Sequence, residues 1–307
     1  MQQKRPFLGF SFALITAIAW GTSPIATRQV IKAMDAQTLV WFRFLAAALG
    51  LFCILVFAKK LPNLTACSKK ELGLFVVAIL GLSANFFLFA QALNYISPTT
   101  NQVLWLLAPF TMILLGVLVF KEQFGVFQKL GSSLLMIGLI AFFNDKFSEI
   151  LQLNDYSLGI LFGIAASLVW VIYAFAQKLL LAKFTPQQAL MVIYCGCAMT
   201  MLPFASPAQI GHIEGVFLWI CFIFCCVNTV IGYGAYSEAL NHWNASKVSV
   251  VTTMLPIFTM IFSLLGHYFF PEMFAEPDMN WIGYIGAVVV VVGAILAISG
   301  DRLFRRR

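Results

Sequence analysis

The sequence predicts an all-α integral membrane protein of ten transmembrane helices, built as two inverted five-helix repeats. Three observations carry this reading. First, the 307 residues are 61% hydrophobic and only 10% charged, whereas a soluble domain of this length carries about 25% charged residues. Such a chain cannot form a water-facing surface. Second, ten apolar runs have the ~20 residues needed to cross a ~30 Å hydrocarbon core. Third, the second half of the chain repeats features of the first at nearly constant offsets.

The first run, 7–30, follows Lys4 and Arg5. It is too long for the apolar region of a signal peptide, and no convincing small-residue cleavage site follows it. Runs 38–58, 71–95, 98–120 and 126–144 complete the first half. Runs 156–180, 187–206, 215–240, 245–270 and 280–299 make the second. They are continuously apolar and do not alternate, which argues against a β-barrel.

Basic residues set the orientation. With the N-terminus in the cytoplasm, the inside segments hold Lys4, Arg5, Lys59, Lys60, Lys69, Lys70, Lys121, Lys129, Lys178, Lys183, Lys247, Arg302, Arg305, Arg306 and Arg307. The outside holds only Arg28, Lys32 and Lys146, with Arg43 inside a span. The positive-inside rule therefore places both termini in the cytoplasm. The pI of about 9.1 follows from topology and does not imply nucleic-acid binding. The Arg305-Arg306-Arg307 tail is read as a contact to membrane lipid headgroups. Six of the seven cysteines fall inside spans with no intramembrane His beside them. They read as small apolar packing residues, not as a metal site.

The internal repeat emerges on shifting the chain. At an offset of 150, Gly9 meets Gly159, Phe12 meets Phe162, Trp20 meets Trp170 and Ala26 meets Ala176. At 147, Ala92-Leu93-Asn94 meets Ala239-Leu240-Asn241, and Pro109 meets Pro256. At 155, Gly131 and Gly138 meet Gly286 and Gly293. Residues 1–150 and 151–307 are thus two copies. Five is odd, so the second copy lies upside down, an architecture common in secondary transporters.

Several stretches resemble the drug/metabolite transporter superfamily, in particular its ten-helix EamA-type members. They are Ala19-Trp20-Gly21 with Pro24, Trp41-Phe42-Arg43-Phe44, the run ALNYISPTTNQVLWLLAPF from Ala92, and Lys121-Glu122-Gln123-Phe124. EALNHWNASKVSVVTTMLPIF from Glu238 is the second-half copy. The resemblance implies a central cavity walled by the first, third, fourth, sixth, eighth and ninth spans. It also implies transport of small metabolites in a bacterial cytoplasmic membrane, often export of amino acids or related compounds. Ala174 stands where a second copy of Pro24 would be, so the halves are not equivalent.

Proline lacks the N–H that closes a helical turn. Pro24 therefore frees the carbonyl of Trp20, Pro109 that of Trp105, and Pro256 that of Thr252. A free carbonyl in lipid is costly, so these kinks are expected to face protein or a wet cavity; bends that only shape packing are the alternative. The polar groups at matching depth are Trp20, Thr22, Ser23, Asn85, Trp105, Trp170, Tyr173, Asn228, Thr229 and Tyr233. Trp20 and Trp170 form a symmetric candidate pair facing substrate, or else core or lipid-facing side chains. Asn85 and Asn228 serve substrate or interhelical hydrogen bonds.

Two charges intrude. Arg43 lies near the outer edge of its span, where it can snorkel or hold an anionic group at the outer mouth. Glu238 lies near the inner edge, one helical turn from His242. With no charged residue near mid-depth, an uncharged or zwitterionic substrate is expected. No phosphate-binding loop and no paired carboxylates appear, so an enzyme is not expected, nor is a cofactor or metal. The reading is a secondary-active or facilitative transporter of small organic metabolites. A flippase for lipid-linked substrates and a non-transporting scaffold are the alternatives.

Overall fold

The computed structural model describes residues 5–64, 67–118, 125–243, 245–275 and 279–304. Glu122 of the fifth-span motif and the Arg305–Arg307 tail lie outside them. Thirteen α-helices are described: α1 (Pro6–Val30), α2 (Ala36–Phe57), α3 (Lys69–Ala92), α4 (Pro98–Trp105), α5 (Leu107–Leu118), α6 (Val126–Phe142), α7 (Phe147–Leu151), α8 (Asp155–Leu180), α9 (Pro186–Met201), α10 (Gly215–His242), α11 (Ala245–Thr253), α12 (Leu255–Phe269) and α13 (Trp281–Phe304). No strand occurs among the described residues.

Among the described residues, eight stretches are long and apolar enough to cross a membrane, against the ten expected from the sequence. The α11–α12 stretch counts as one of them, and α9 reaches the required length with the 3₁₀ turn that follows it. Helix α6 is apolar but has 17 residues. The fourth predicted span is divided into α4 and α5, of 8 and 12 residues, and residues 119–124 beyond α5 lie outside those described.

That division corrects the reading of Pro109 and Pro256 as kinks in continuous helices. The chain breaks at Leu106 and again at Met254, whose N–H groups bond three residues back to Val103 and Val251. A new helix starts after each break. The two prolines lie in its first turn, where a missing N–H has no helical acceptor to lose. Pro24 differs, because α1 continues through it.

Side-chain caps start several of the long helices by occupying N–H groups that no carbonyl reaches. Asp35 accepts from Thr38 N–H at 2.8 Å. Ser68 with Glu71, and Thr185 with Gln188, form reciprocal capping boxes.

The main packings each join residues 1–150 to residues 151–307. Helix α1 lies along α10, α2 along α9, α3 along α8 and α6 along α13, and α1 also packs on α12. The α6–α13 crossing is backbone on backbone. A Cβ on Gly293 would stand 2.5 Å from the nitrogen of Leu135, and one on Gly138 would stand 2.6 Å from that of Val290. Only glycine permits such an approach, and small residues at helix crossings supply the packing attraction that lipid cannot. The outer surface is apolar, with Leu49, Ile137, Ile220 and Ile285 each more than half exposed. A patch of that extent suits lipid and not water.

Successive long helices alternate in direction. One end of the bundle holds the connections tied by Asp35 to Gln209, Gln29 to the carbonyl of Met273, and Asn144 to Asn280. The other, terminal end holds the start of α1 and is tied by Lys183 to Glu71 and by Gln188 to the carbonyl of Lys60.

Candidate substrate site

Helix α1 is the spine of the site. Between Ile18 and Gly21, four successive carbonyls accept from side chains. Thr22 Oγ1 donates to Ile18 at 2.7 Å within the helix. Asn228 Nδ2 of α10 donates to Ala19 at 3.0 Å. Gln102 Nε2 of α4 donates to Trp20 at 2.8 Å. Thr259 Oγ1 of α12 donates to Gly21 at 2.7 Å. The carbonyl that Pro24 releases is thus met by Gln102, and three neighbouring helices are tied to one stretch of α1. Gly21 permits the approach of α12, since a Cβ there would stand 2.8 Å from Cβ of Phe258.

Beside this stretch lies a small cavity of about 70 Å³. Its wall comprises Trp20 and Ser23 of α1, Arg43 of α2, Asn85, Phe86 and Phe89 of α3, Gln102 and Trp105 of α4, Tyr233 of α10 and Leu255 of α12. The mix of aromatic walls with a few polar groups suits a small organic molecule. Trp20 packs on Tyr233 and Tyr236 with ring centroids 5.0 and 5.4 Å apart. Gly232 leaves the space that the indole fills.

The cavity brings together some of the expected residues and not others. Trp20, Ser23, Asn85, Trp105 and Tyr233 line it. Thr22 is turned back onto its own helix. Asn85 lines the cavity and also donates to the carbonyl of Ala166 at 2.9 Å, an interhelical hydrogen bond. Asn228 is buried in the α1–α10 packing. Trp170 lies behind Trp105, with centroids 5.0 Å apart. Tyr173 is fully buried against Gly81. The sixth span (α8) therefore contributes no lining residue, because Trp105 takes the position that Trp170 would need.

Arg43 departs most from expectation. It sits about 10 Å along α2 from the helix start, at a 1.5 Å rise per residue, and its side chain does not snorkel outward. The residue is 7% exposed. Nε donates to Thr229 Oγ1 at 3.1 Å, with Thr27 Oγ1 and Ser23 Oγ each 3.5 Å from the terminal nitrogens. The guanidinium lies 4.7 Å from the ring centre of Phe86. The expectation of a site without charge is thus overturned. The linear position of Cα conceals how far a long side chain reaches.

Glu238 stays away from the cavity, 3.8 Å from His242 Nε2 toward the terminal end. Gln102, Phe86, Phe89 and Leu255 were not anticipated. Gln102 carries the one signal that pointed to it, an amide within an apolar run three residues before Trp105.

A funnel of about 780 Å³ occupies the end away from the termini, lined by Arg28, Lys32, Tyr95, Asp145, Glu149 and Asp155 among others. Helices α1, α4 and α12 line both spaces: Ser23, Gln102 and Leu255 face the cavity, and Ile25, Thr99 and Ser263 face the funnel. At the terminal end the way is blocked. Ala13, Ala17, Ala239, Val248 and Val251 form a buried cluster, Gly9 abuts Trp243, and Phe10 meets the same ring edge-on at 5.7 Å.

Comparison with known proteins gives the following. The EamA-like transporter family matches residues 7–144 and again 157–299. A Haemophilus influenzae protein called an uncharacterized transporter is 50% identical, covering 98% of each chain. The uncharacterized inner membrane transporter YhbE of Escherichia coli is 42% identical, covering 97% of this chain and 93% of its own. A more distant Escherichia coli protein, the "probable amino-acid metabolite efflux pump", is 20% identical over 94% of each. A solved crystal structure shares the fold with a TM-score of 0.64 at 15% identity, covering 99% of this chain and all of that one.

Proposed function

Because the chain belongs to the EamA-like transporter family, we propose that it moves small organic metabolites across a bacterial inner membrane by alternating access, as a secondary-active or facilitative transporter. Amino acids and related compounds are the first candidates, with export the direction suggested by the distant relative's name. The observation that supports this most is the aromatic and polar cavity shared by six helices, with a funnel on the same helices toward one end of the bundle and a packed cluster toward the other. A scaffold has no use for such a space.

The inverted-repeat reading belongs to the same proposal. Ten crossings in two inverted halves are supported by the packing partners. In span order these are first with eighth, second with seventh, third with sixth and fifth with tenth, with fourth on sixth answered by ninth on first, a set that exchanging two five-helix halves maps onto itself. Rocking one half on the other around the cavity then produces the two access states. Reporter domains fused after residue 150 and after residue 307 test the topology. The first is expected to report the exterior and the second the cytoplasm; any other pairing sinks the inverted repeat.

Function is tested in proteoliposomes loaded with a candidate substrate and given labelled substrate outside, with no ion gradient. Saturable exchange is expected, and its absence across metabolites that accumulate in cells lacking the gene would overturn the reading. In the same assay Glu238→Gln is expected to retain exchange within about twofold. Its carboxylate lies against His242, away from the cavity, and no acidic residue lines the cavity. Loss of exchange in properly inserted Glu238→Gln protein would make that carboxylate part of the mechanism.

A further inference from the structure

We propose that Arg43 is the anchor of the substrate site, and that what it holds is the carboxylate of a small organic anion with an uncharged, apolar body. This rests on the transport reading, and among small organic metabolites it favours carboxylates that lack an ammonium group over the amino acids named first above.

The argument begins with an imbalance. A buried guanidinium carries five N–H donors and a full positive charge. Taking such a charge out of water costs several kcal/mol, and buried ions are ordinarily paired. Among the described residues, the ion pairs join Lys146 with Glu149, Lys183 with Glu71 and His242 with Glu238, and none includes Arg43. It meets three neutral hydroxyls, two of them at the outer limit of hydrogen bonding, and the face of Phe86. These orient the group and leave its charge uncompensated. The same side chain lines the cavity, so an anion entering there reaches the guanidinium. A carboxylate matches its fork with two parallel hydrogen bonds.

The rest of the wall defines what the carboxylate is attached to. Trp20, Phe86, Phe89, Trp105, Tyr233 and Leu255 offer apolar and aromatic faces to a body of modest size. Asn85 and Gln102 are neutral, and their amide nitrogens already donate to carbonyls. With no carboxylate on the wall, an ammonium group on the substrate finds no counter-ion. The funnel does not select the sign of charge, because Arg28, Lys32 and Lys146 on its wall are matched by Asp145, Glu149 and Asp155. The discrimination falls on Arg43. Its counterpart at the 150-residue offset is Ile193, fully buried and apolar, so the anchor belongs to one half alone.

The test uses purified full-length protein and one body with three end groups: 3-phenylpropionate, 3-phenylpropionamide and 3-phenylpropylamine. Binding is read from tryptophan fluorescence, since Trp20 and Trp105 face the cavity, and from thermal shift. The carboxylate is expected to bind about tenfold or more tightly than the amide, as a charge-assisted hydrogen bond implies, and the amine not at all. Phenylalanine is expected to bind no better than 3-phenylpropionate. Arg43→Met should bring carboxylate and amide within about twofold of each other, and Arg43→Lys should retain part of the preference. Equal binding of carboxylate and amide by the unaltered protein would overturn the proposal without recourse to any variant. So would preference for the amine, no saturable binding by benzoate, 4-methylvalerate or 3-phenylpropionate, or an Arg43→Met protein that keeps the preference. Failure here is separable from failure of the transport reading. The predicted charge preference without flux in proteoliposomes leaves the anion site and removes transport. Flux indifferent to Arg43→Met leaves transport and removes the anchor.

Discussion

Gly293→Leu is expected to yield almost no correctly folded protein in detergent, the largest effect of any single substitution considered. Helices α6 and α13 approach so closely that a Cβ on Gly293 would lie 2.5 Å from the nitrogen of Leu135 and 2.8 Å from the carbonyl oxygen of Gly131. Both obstacles are backbone, so no side-chain rotation relieves the clash and the helices must separate. Overpacking a well-filled contact costs typically 1–3 kcal/mol even where side chains can yield, and here the penalty is expected at or above the top of that range. Gly131→Leu should behave alike, since a Cβ there meets Gly293 and Ala297. Gly73→Leu is the control, as nothing lies within 4 Å of a Cβ at that position. Fluorescence-detected size exclusion and melting of the three proteins measure this. A Gly293→Leu protein that is monodisperse and melts with the parent would show that α6 and α13 do not cross as described.

The second large effect is on transport. Trp20→Ala is expected to lower exchange more than about tenfold while leaving insertion intact, because Trp20 is wall, and its loss widens the cavity and unseats Tyr233 and Tyr236. Trp170→Ala is expected to cost less, about two- to fivefold, and to act through Trp105, which it supports from behind. Loss of a large buried side chain also destabilises by up to about 3–5 kcal/mol, so melting is recorded beside exchange. Equal losses for the two variants would place Trp170 at the cavity; unchanged exchange in Trp20→Ala would make Trp20 a packing residue.

These two positions show what could be read from the chain alone. Gly131, Gly138, Gly286 and Gly293 were legible as repeat partners because glycine recurs at a fixed offset, and the physics of close helix crossing needs nothing beyond that residue type. Trp20 and Trp170 were equally legible as partners, yet only one reaches the cavity. Sequence symmetry fixes the position on the helix, while exposure depends on which neighbour, here Trp105, already fills the space. Pro109 and Pro256 marked the right places, but whether a helix bends or restarts depends on three-residue hydrogen bonds at Leu106 and Met254 that residue type does not dictate. Arg43 was the largest misreading. Depth was taken from the position of Cα, and a long side chain held by Thr229 on a distant helix carries its charge inward. Gln102 went unnoticed because its role is set by a partner, the carbonyl of Trp20, that lies 82 residues away in sequence.

The central claim is that one cavity is reached from both sides of the membrane in turn. The direct measurement places a single cysteine at Ser23, on the cavity wall, in protein whose seven native cysteines are replaced. The protein is reconstituted with known orientation and exposed to a small membrane-impermeant sulfonate thiol reagent, first from outside alone and then from inside alone. The account predicts modification from either side, with excess transported substrate slowing both reactions. Modification from one side only, whatever the substrate or gradient, would contradict it.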